Sequence, residues 1–302
     1  MRLIFLGTPA FAVPTLERIV EAGHDVLTVV TQPSRPRGRG QQPAAPPVAE
    51  AAVKLGLPVY QPERVRRPEA VAHLRAIPVD AMVVVGYGQI IPQSVIDLAP
   101  LGIINVHGSL LPQYRGAGPI QWAIRNGETV TGVTTMRIDA GLDTGDMLLK
   151  AVTEIGPEEN AVELGRRLAT MGADLLVETL AGLSAGTIVR EKQNDAEATY
   201  APLLKKEDGA IDWMQPAASI HNQVRGFQPW PGAFTAYRGQ TLHIWKTRVV
   251  SGGRSVKPLV VPCHEGALEL LEVQLEGRKR LSGADFANGQ RLTENDILEV
   301  FH

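Results

Sequence analysis

The feature that most constrains the fold is a regular alternation of short, β-branched apolar runs with segments of helical periodicity. The run at 79–86 (VDAMVVVG) is almost continuously apolar, as expected for a strand that is covered on both faces. Runs of the same kind occur at 2–7, 25–31, 102–106 and 131–138. Helical segments fit between most of them, so the sequence predicts an α/β fold with a doubly wound, mostly parallel sheet.

The last third of the chain has a different pattern of apolar and turn-forming residues, which predicts a second domain. A long apolar stripe near 159–183 indicates a helix that closes the first domain, and the turn-rich segment 201–209 follows it. Beyond this segment, short alternating stretches are separated by Gly and Pro turns, which is typical of a small β-barrel. The clearest of these stretches are 233–237, 241–249 and 267–273. We therefore place the first domain at 1–204 and the second at 205–302.

Composition and charge exclude several classes of protein. Hydrophobic residues make up 44% of the 302 residues, which is enough for a substantial core and argues against a disordered chain or a fibre. The net charge of −2 does not mark a nucleic-acid-binding protein by bulk charge. The single cysteine, Cys263, excludes an internal disulfide and a cysteine-based zinc cluster. We expect a cytoplasmic protein that makes no use of a membrane, because no apolar run approaches 18 residues.

The chain lacks the familiar signatures of phosphate, dinucleotide and metal binding. It has neither the G-x-x-x-x-G-K-[ST] of a phosphate-binding loop nor the G-x-S-x-G of a nucleophile elbow. The pairs Gly38–Gly40 and Gly86–Gly88 each lack the third glycine of a dinucleotide fingerprint. No two histidines are spaced four residues apart, so we expect no metal site.

One loop is unusually long and basic. The segment 32–46 follows the second apolar run and carries Arg35, Arg37 and Arg39 without any acidic residue. It is either a disordered surface loop or a cationic arm whose arginines meet the phosphates of a partner. The residues of the loop alone leave both interpretations open.

The best candidates for chemistry lie at the end of the run 102–106. Asn105 and His107 are two residues apart, so in an extended chain their side chains project to the same side. That point lies beyond the carboxyl end of a sheet strand, where open α/β sheets bind ligands. An amide and an imidazole directed to one point suit a developing oxyanion. The alternative is that Asn105 caps a turn and His107 is an ordinary loop residue.

A second loop supplies carboxylates. Residues 138–146 contain three acids and two glycines between apolar runs, and Asp143 lies between Gly141 and Gly145. A carboxylate beside an imidazole fixes its orientation and favours its charged form. Asp139 and Asp146 are equally able to cap turns, so spacing alone does not single out Asp143.

Recognisable motifs extend along almost the whole chain. In the first domain they are FLGTP at 5–9, TQP at 31–33 with the RGRG that follows, N-x-HGSLLP at 105–112, YRG at 114–116 and DAGLDTG at 139–145. In the second domain they are DGAIDW at 208–213, FQPWPGAF at 227–234 and GADF at 283–286. With these motifs the chain resembles the folate-dependent formyltransferases, and among them the methionyl-tRNA formyltransferases.

The resemblance implies a Rossmann-like formyltransferase domain followed by a barrel similar to an OB-fold. It implies transfer of formyl from 10-formyltetrahydrofolate to the α-amino group of methionine on initiator tRNA, for translation initiation and without a metal. The implied catalytic residues are Asn105, His107 and Asp143. The implied folate contacts are Ser109, Leu110, Leu111, Pro112 and the turn at Tyr87. The expected tRNA contacts are Arg35, Arg37 and Arg39 in the loop and the basic run Arg278, Lys279 and Arg280 in the barrel.

The sequence departs from the family pattern at two places, and other functions remain open. Gln41 and Gln42 stand where the family often has lysines, and Gly86 and Gln89 replace the more usual residues around the Tyr87 turn. One alternative is a formyltransferase that acts on a sugar or nucleotide amine, or a formyltetrahydrofolate hydrolase with the same trio. Another is a non-catalytic tRNA-binding protein of the same fold. We expect a monomer.

Overall fold

A computed structural model describes residues 1–37 and 42–301, and within it the chain divides into two compact units. The first unit consists of Met1–Gly116, Thr131–Thr153 and Gly165–Tyr200. The second consists of Ala117–Val130, Glu154–Leu164 and Ala201–His302. The division into sequence domains at residue 204 stays a prediction.

Strands and helices alternate along the first two thirds of the chain. The strands are β1 (Arg2–Gly7), β2 (Asp25–Val30), β3 (Arg35–Arg37), β4 (Gln42–Ala44), β5 (Val59–Tyr60), β6 (Ala81–Val85), β7 (Ile103–His107), β8 (Arg115–Gly116), β9 (Val130–Arg137), β10 (Met147–Glu154) and β11 (Tyr200–Ala201). The helices are α1 (Val13–Glu21), α2 (Pro47–Lys54), α3 (Pro68–Arg75), α4 (Gln93–Ile96), α5 (Pro119–Arg125) and α6 (Ala161–Ala185).

The main sheet of this region has seven strands in the order β10-β9-β7-β6-β1-β2-β5. The pairs β5–β2, β2–β1, β1–β6 and β6–β7 are parallel, whereas β9 pairs antiparallel with β7. The predicted α/β fold with a mostly parallel sheet is therefore confirmed, and each predicted apolar run forms a strand. The strands β5 and β10 were not predicted, since β5 is only two residues long and β10 alternates half-buried with exposed positions after its first two residues.

Both faces of the sheet are covered, which explains the continuous apolar runs. Leu3 and Phe5 of β1 belong to one core with residues of α1, α2 and α6. Ile4 and Leu6 face the opposite core, which α3 and α4 cover. Alternate residues of one strand thus enter two separate cores, as the period of a β-strand requires.

Helix α6 packs closely on the strand that ends at the candidate histidine. A Cβ added at Gly172 would lie 2.6 Å from Val106 Cγ1, so a residue larger than glycine does not fit between the helix and the strand. By length and composition α6 also meets the criterion for a membrane span. Leu176 and Leu180, however, are fully buried against the sheet, as in the core helix of a globular unit.

The basic loop at 32–46 contains paired backbone that was not expected. Strands β3 and β4 pair antiparallel, with Arg35 opposite Ala44 and Arg37 opposite Gln42. Arg39 and Gln41 lie outside the described residues. The part of the loop that the structure describes thus contains a short pair of antiparallel strands.

The second unit is built on an antiparallel sheet. Its further elements are α7 (Ala217–Gly226), β12 (Ala233–Tyr237), β13 (Gln240–Val250), β14 (Ser255–Val256), β15 (Leu259–Pro262), β16 (Ala267–Leu275), β17 (Leu281–Ser282), α8 (Gly283–Gln290) and α9 (Glu294–Phe301). The strand order is β12-β13-β16-β15-β14, and β17 pairs with β16. The predicted β-stretches are confirmed, and the sheet is consistent with a small barrel. Helices α8 and α9 were not predicted.

The contribution of the buried central strands of the seven-stranded sheet to stability can be tested by substitution. Val83 of β6 is fully buried, whereas Val152 of β10 is 64% exposed. We expect Val83→Ala to lower the free energy of unfolding by about 2–3 kcal/mol, because it removes two buried methyl groups and leaves a cavity. The matched substitution Val152→Ala should change it by less than about 0.5 kcal/mol. Urea unfolding measures both, and equal effects would contradict the two-sided burial of the sheet.

Candidate active site

The candidate site is centred on His107, the last residue of β7. Its ring is buried, and Nε2 lies 2.9 Å from the carbonyl oxygen of Tyr114. Because a carbonyl oxygen only accepts hydrogen bonds, Nε2 must carry the proton of this contact. The remaining ring nitrogen, Nδ1, lies 3.6 Å from Oδ2 of Asp143. The imidazole is thus fixed through one nitrogen and presents the other to a carboxylate.

Asp143 is the only acid of its loop that the structure places against His107. Its Oδ2 accepts a hydrogen bond of 2.9 Å from the backbone N–H of Gly116. Asp139 instead accepts from Gly141 N and Thr144 Oγ1, so it caps a turn inside the loop. The geometry therefore separates the acids that spacing left equivalent.

The backbone of this loop explains how the carboxylate reaches the ring. Asp143 has φ of 53°, in the left-handed region, which Asp tolerates better than most residues. A Cβ at Gly145 would lie 1.9 Å from the carbonyl oxygen of Arg137, so only glycine fits where the loop returns to β10. Tyr114, whose carbonyl holds His107, is also left-handed with φ of 59°.

Asn105 lies on the same strand as His107, two residues before it. It is buried, and within residues 1–37 and 42–301 its side-chain amide has no hydrogen-bond partner. An amide in such a position has its donors and its acceptor free for a ligand. Asn105 and His107 therefore lie on one side of one strand, as the i, i+2 spacing predicts.

The segment 109–112 is held by backbone contacts. The hydroxyl of Ser109 donates to the carbonyl of Gln113 at 2.6 Å, so its proton is not directed to His107. Thr134 Oγ1 donates to the carbonyl of Ser109 and accepts from the N–H of Leu111. Leu111 and Pro112 are buried, whereas Leu110 is partly exposed. Contacts of this segment with a ligand would therefore come from its backbone and from Leu110.

The side chain of Tyr87, an expected folate contact, is buried inside the protein. Its ring is 2% exposed, and its hydroxyl has no hydrogen-bond partner in the described part of the chain. Burial, with a smaller contribution from Tyr60, raises the pKa of Tyr87 to about 12. Its carbonyl oxygen accepts from Thr8 Oγ1 and from Gln32 Nε2. The backbone of Tyr87, rather than its hydroxyl, is thus tied to neighbouring loops.

The two departures at this turn have structural counterparts. Gly86 has φ of 56°, and a Cβ there would lie 2.9 Å from Pro9 Cγ, so glycine is required. Gln89 accepts from the N–H of Val65 and donates to the carbonyl of Glu63. Gly86 thus permits the turn, and Gln89 connects it to residues 63–65.

The candidate tRNA contacts occupy two places. In the loop at 32–46, Arg35 is exposed, only the backbone of Arg37 is described, and Arg39 lies outside the described residues. In the second unit, Arg278 and Lys279 are exposed in the turn between β16 and β17. The guanidinium of Arg280 lies 3.8 Å from the centre of the Trp245 ring and 3.5 Å from Glu272 Oε1.

Two groups around His107 were missed by sequence reasoning. The carbonyl of Tyr114 belongs to the YRG motif, but a motif does not indicate which atom makes a contact. Gln193 donates to the carbonyls of Asp143 and Gly145 from 50 and 48 residues away along the chain. No local pattern around Gln193 signals this contact. Among the described residues, no group of three potential metal ligands is found.

Two family models match the chain over most of its length. The model described as formyl transferase matches residues 1–180, and that of the formyl transferase C-terminal domain matches residues 203–291. The chain belongs to the formyl transferase family. The methionyl-tRNA formyltransferase of Solibacter usitatus is 73% identical over 310 aligned positions that cover all of both chains. That of Koribacter versatilis is 58% identical, over 99% of this chain and 98% of the relative.

A solved structure of low identity has the same fold. The N-formyltransferase from Helicobacter canadensis, in complex with folinic acid and dTDP-3-aminofucose, is 18% identical and has a TM-score of 0.66. The match covers 92% of this chain and 99% of that one. It supports the Rossmann-like first domain followed by a smaller C-terminal domain.

The buried hydroxyl of Tyr87 gives a prediction for Tyr87→Phe. Because an unpaired buried hydroxyl is unfavourable, the variant should be at least as stable as the wild type at pH 8. The unfolded tyrosine ionises near pH 10 but the buried one only near pH 12, so the wild type loses stability as the pH rises through this interval. The variant should not lose stability from ionisation at this position, because phenylalanine has no hydroxyl to ionise. Urea unfolding at pH 8 and pH 11 measures both effects, and a less stable variant at pH 8 would show that the hydroxyl has a partner.

Proposed function

We propose that this member of the formyl transferase family transfers the formyl group of 10-formyltetrahydrofolate to the α-amino group of methionine on charged initiator tRNA. The observation that carries the proposal is the arrangement of Asn105, His107 and Asp143 at the end of β7, in a chain whose full-length relatives are named for this reaction. The folate part is supported by the structural neighbour that was crystallised with folinic acid. We further expect a monomer that acts in the cytoplasm.

The acceptor needs little activation. An α-amino group has a pKa near 7.7–8.0, and the adjacent ester lowers it, so much of the amine is neutral and nucleophilic near pH 7. The enzyme's main task is therefore to stabilise the tetrahedral intermediate, in which the formyl oxygen becomes an oxyanion. Fixed donors directed at that oxygen are the usual solution.

Asn105 and His107 are the proposed donors. The amide of Asn105 has no internal partner, and His107 has only its Nδ1 edge available because Nε2 donates to the carbonyl of Tyr114. To donate from Nδ1 the ring must carry two protons, and Oδ2 of Asp143 lies 3.6 Å from this nitrogen.

Asp143 is also the proposed acceptor of the proton that the attacking amine loses. Its Oδ2 is occupied by the N–H of Gly116, whereas Oδ1 has no partner among the residues that the structure describes. The nitrogen of the folate must gain a proton as it leaves, and a water molecule between the two groups would relay to it the proton that Asp143 took from the amine. The two protons thus move within one small group of side chains.

The tRNA is proposed to bind through phosphates. Arg35, Arg37 and Arg39 in the loop at 32–46 form one basic group, and Arg278, Lys279 and Arg280 form another. Attraction to phosphates would come from these two basic groups and not from the chain as a whole, because its net charge is only −2. Affinity for tRNA should therefore fall as the salt concentration rises.

The function is tested by incubating the purified chain with methionyl initiator tRNA and 10-formyltetrahydrofolate. After deacylation of the tRNA, N-formylmethionine is measured by mass spectrometry. Parallel reactions contain an amino sugar nucleotide as acceptor, or no acceptor at all. Formylation of the sugar alone, or release of formate alone, would replace the proposal by the corresponding alternative. Binding of tRNA without any formyl transfer would leave a non-catalytic tRNA-binding protein.

Substitution of the proposed donors should remove most of the turnover. We expect Asn105→Ala and His107→Ala each to lower kcat by about 10²–10³, the usual loss for one oxyanion donor. Asn288→Ala, at an exposed position of α8, is the matched control and should retain wild-type kcat. Thermal unfolding of each variant checks that it folds. Wild-type turnover in either donor variant would remove the site assignment.

A further inference from the structure

The left-handed backbone of Asp143 requires support from outside its own loop. A non-glycine residue in this region is strained, although Asp tolerates the conformation better than most residues. The amide nitrogen of Gln193 provides that support, since it donates to the carbonyl of Asp143 at 2.7 Å and to that of Gly145 at 2.8 Å. One side-chain NH₂ group thus bridges the two carbonyls that flank Thr144.

The orientation of the Gln193 amide is fixed by a buried arginine. Arg115 is 2% exposed, and its Nε donates to Gln193 Oε1 at 3.0 Å. Because a guanidinium only donates, the amide oxygen must face Arg115 and the NH₂ must face the loop. Arg115 Nη2 in turn donates to Asp195 at 2.8 Å, which balances the buried charge.

The same segment of chain supports the other partner of His107. Thr199 Oγ1 accepts from the N–H of Tyr114 at 2.8 Å, and the carbonyl of Thr199 accepts from the N–H of Arg115 at 2.9 Å. Residues 193–199 therefore contact both Asp143 and Tyr114, the two residues that hold the imidazole of His107. The segment also leads directly into the C-terminal domain, whose family model begins at residue 203.

We propose that Gln193, oriented by Arg115, is a positioning residue for the formyl-transfer reaction. It holds Asp143 in its left-handed conformation and so sets the carboxylate opposite Nδ1 of His107. It contacts neither substrate in this role. The inference rests on the proposed function, because its effect is on the step that His107 and Asp143 perform.

The central test is the kinetics of Gln193→Ala and Gln193→Glu. Gln193→Ala removes the bridge, and we expect kcat to fall about 10- to 100-fold, since a small displacement of a catalytic group has effects of this size. The KM values for folate and for methionyl-tRNA should stay within about threefold, because ground-state binding is not altered. Gln193→Glu has the same size and keeps the contact with Arg115, but it loses the NH₂ and brings an oxygen against the two carbonyls. It should therefore lose kcat as Gln193→Ala does, whereas a role in packing alone predicts wild-type kcat for this variant.

The second unit offers a matched control for the loss of a buried bridge. Gln223 is as buried as Gln193, at 5% exposed, and its amide nitrogen donates to the carbonyls of Asp208 and Ala210 at 2.9 Å each. Gln223→Ala should lower the thermal stability to a similar degree. It should retain wild-type kcat at saturating tRNA. An equal loss of kcat in the two alanine variants would assign the effect to stability and overturn the proposal.

A double substitution separates this inference from the proposed function. If Gln193 acts only through Asp143, then adding Gln193→Ala to Asp143→Asn should lower kcat no further. Full additivity of the two losses, or wild-type kcat in both Gln193 variants, would overturn the positioning role while the activity of the wild type stands. Absence of formyl transfer by the wild-type chain, in contrast, would remove the proposed function itself.

Discussion

The structure of the candidate site depends on one hydrogen bond, from Nε2 of His107 to the carbonyl of Tyr114. This bond fixes the tautomer, because the carbonyl has no proton to give. It leaves Nδ1 as the edge of the ring that faces Asp143. The chemistry proposed for the site follows from this choice, since a donor to an oxyanion then has to be the Nδ1–H of a doubly protonated ring.

Strand β7 positions the candidate donors, because Asn105 and His107 lie at its carboxyl end. Strand β7 is paired on both sides, in parallel with β6 and antiparallel with β9, so Asn105 and His107 are held on rigid backbone. The two groups that contact the ring come from loops, and both residues are left-handed. Tyr114 and Asp143 need outside support for that reason, and residues 193–199 provide it for both. A rigid strand thus carries the donors, and a distant segment stabilises the loops around them.

The sequence predicted the parts of the molecule in which residues of one kind recur at the spacing of a strand or a helix. The run at 79–86 indicated a strand buried on both faces, and the spacing of Asn105 and His107 indicated side chains on one side of a strand end. The contacts of Tyr114 and Gln193 were not predictable, because a hydrogen bond between a side chain and a distant carbonyl leaves no pattern in either segment. The choice of Asp143 over Asp139 also needed coordinates, since both have the composition of turn-capping acids. Strand β10 was missed because only its first two residues are buried and the others alternate between half-buried and exposed, as in an edge strand.

The most direct test of this account is the protonation of the His107 ring at neutral pH. Nitrogen NMR of the protein labelled with ¹⁵N-histidine, with the signals assigned by comparison with His107→Asn, distinguishes a protonated ring nitrogen from an unprotonated one. The account predicts that Nε2 of His107 is protonated and hydrogen-bonded. An unprotonated Nε2, with the single proton of the ring on Nδ1, would contradict it.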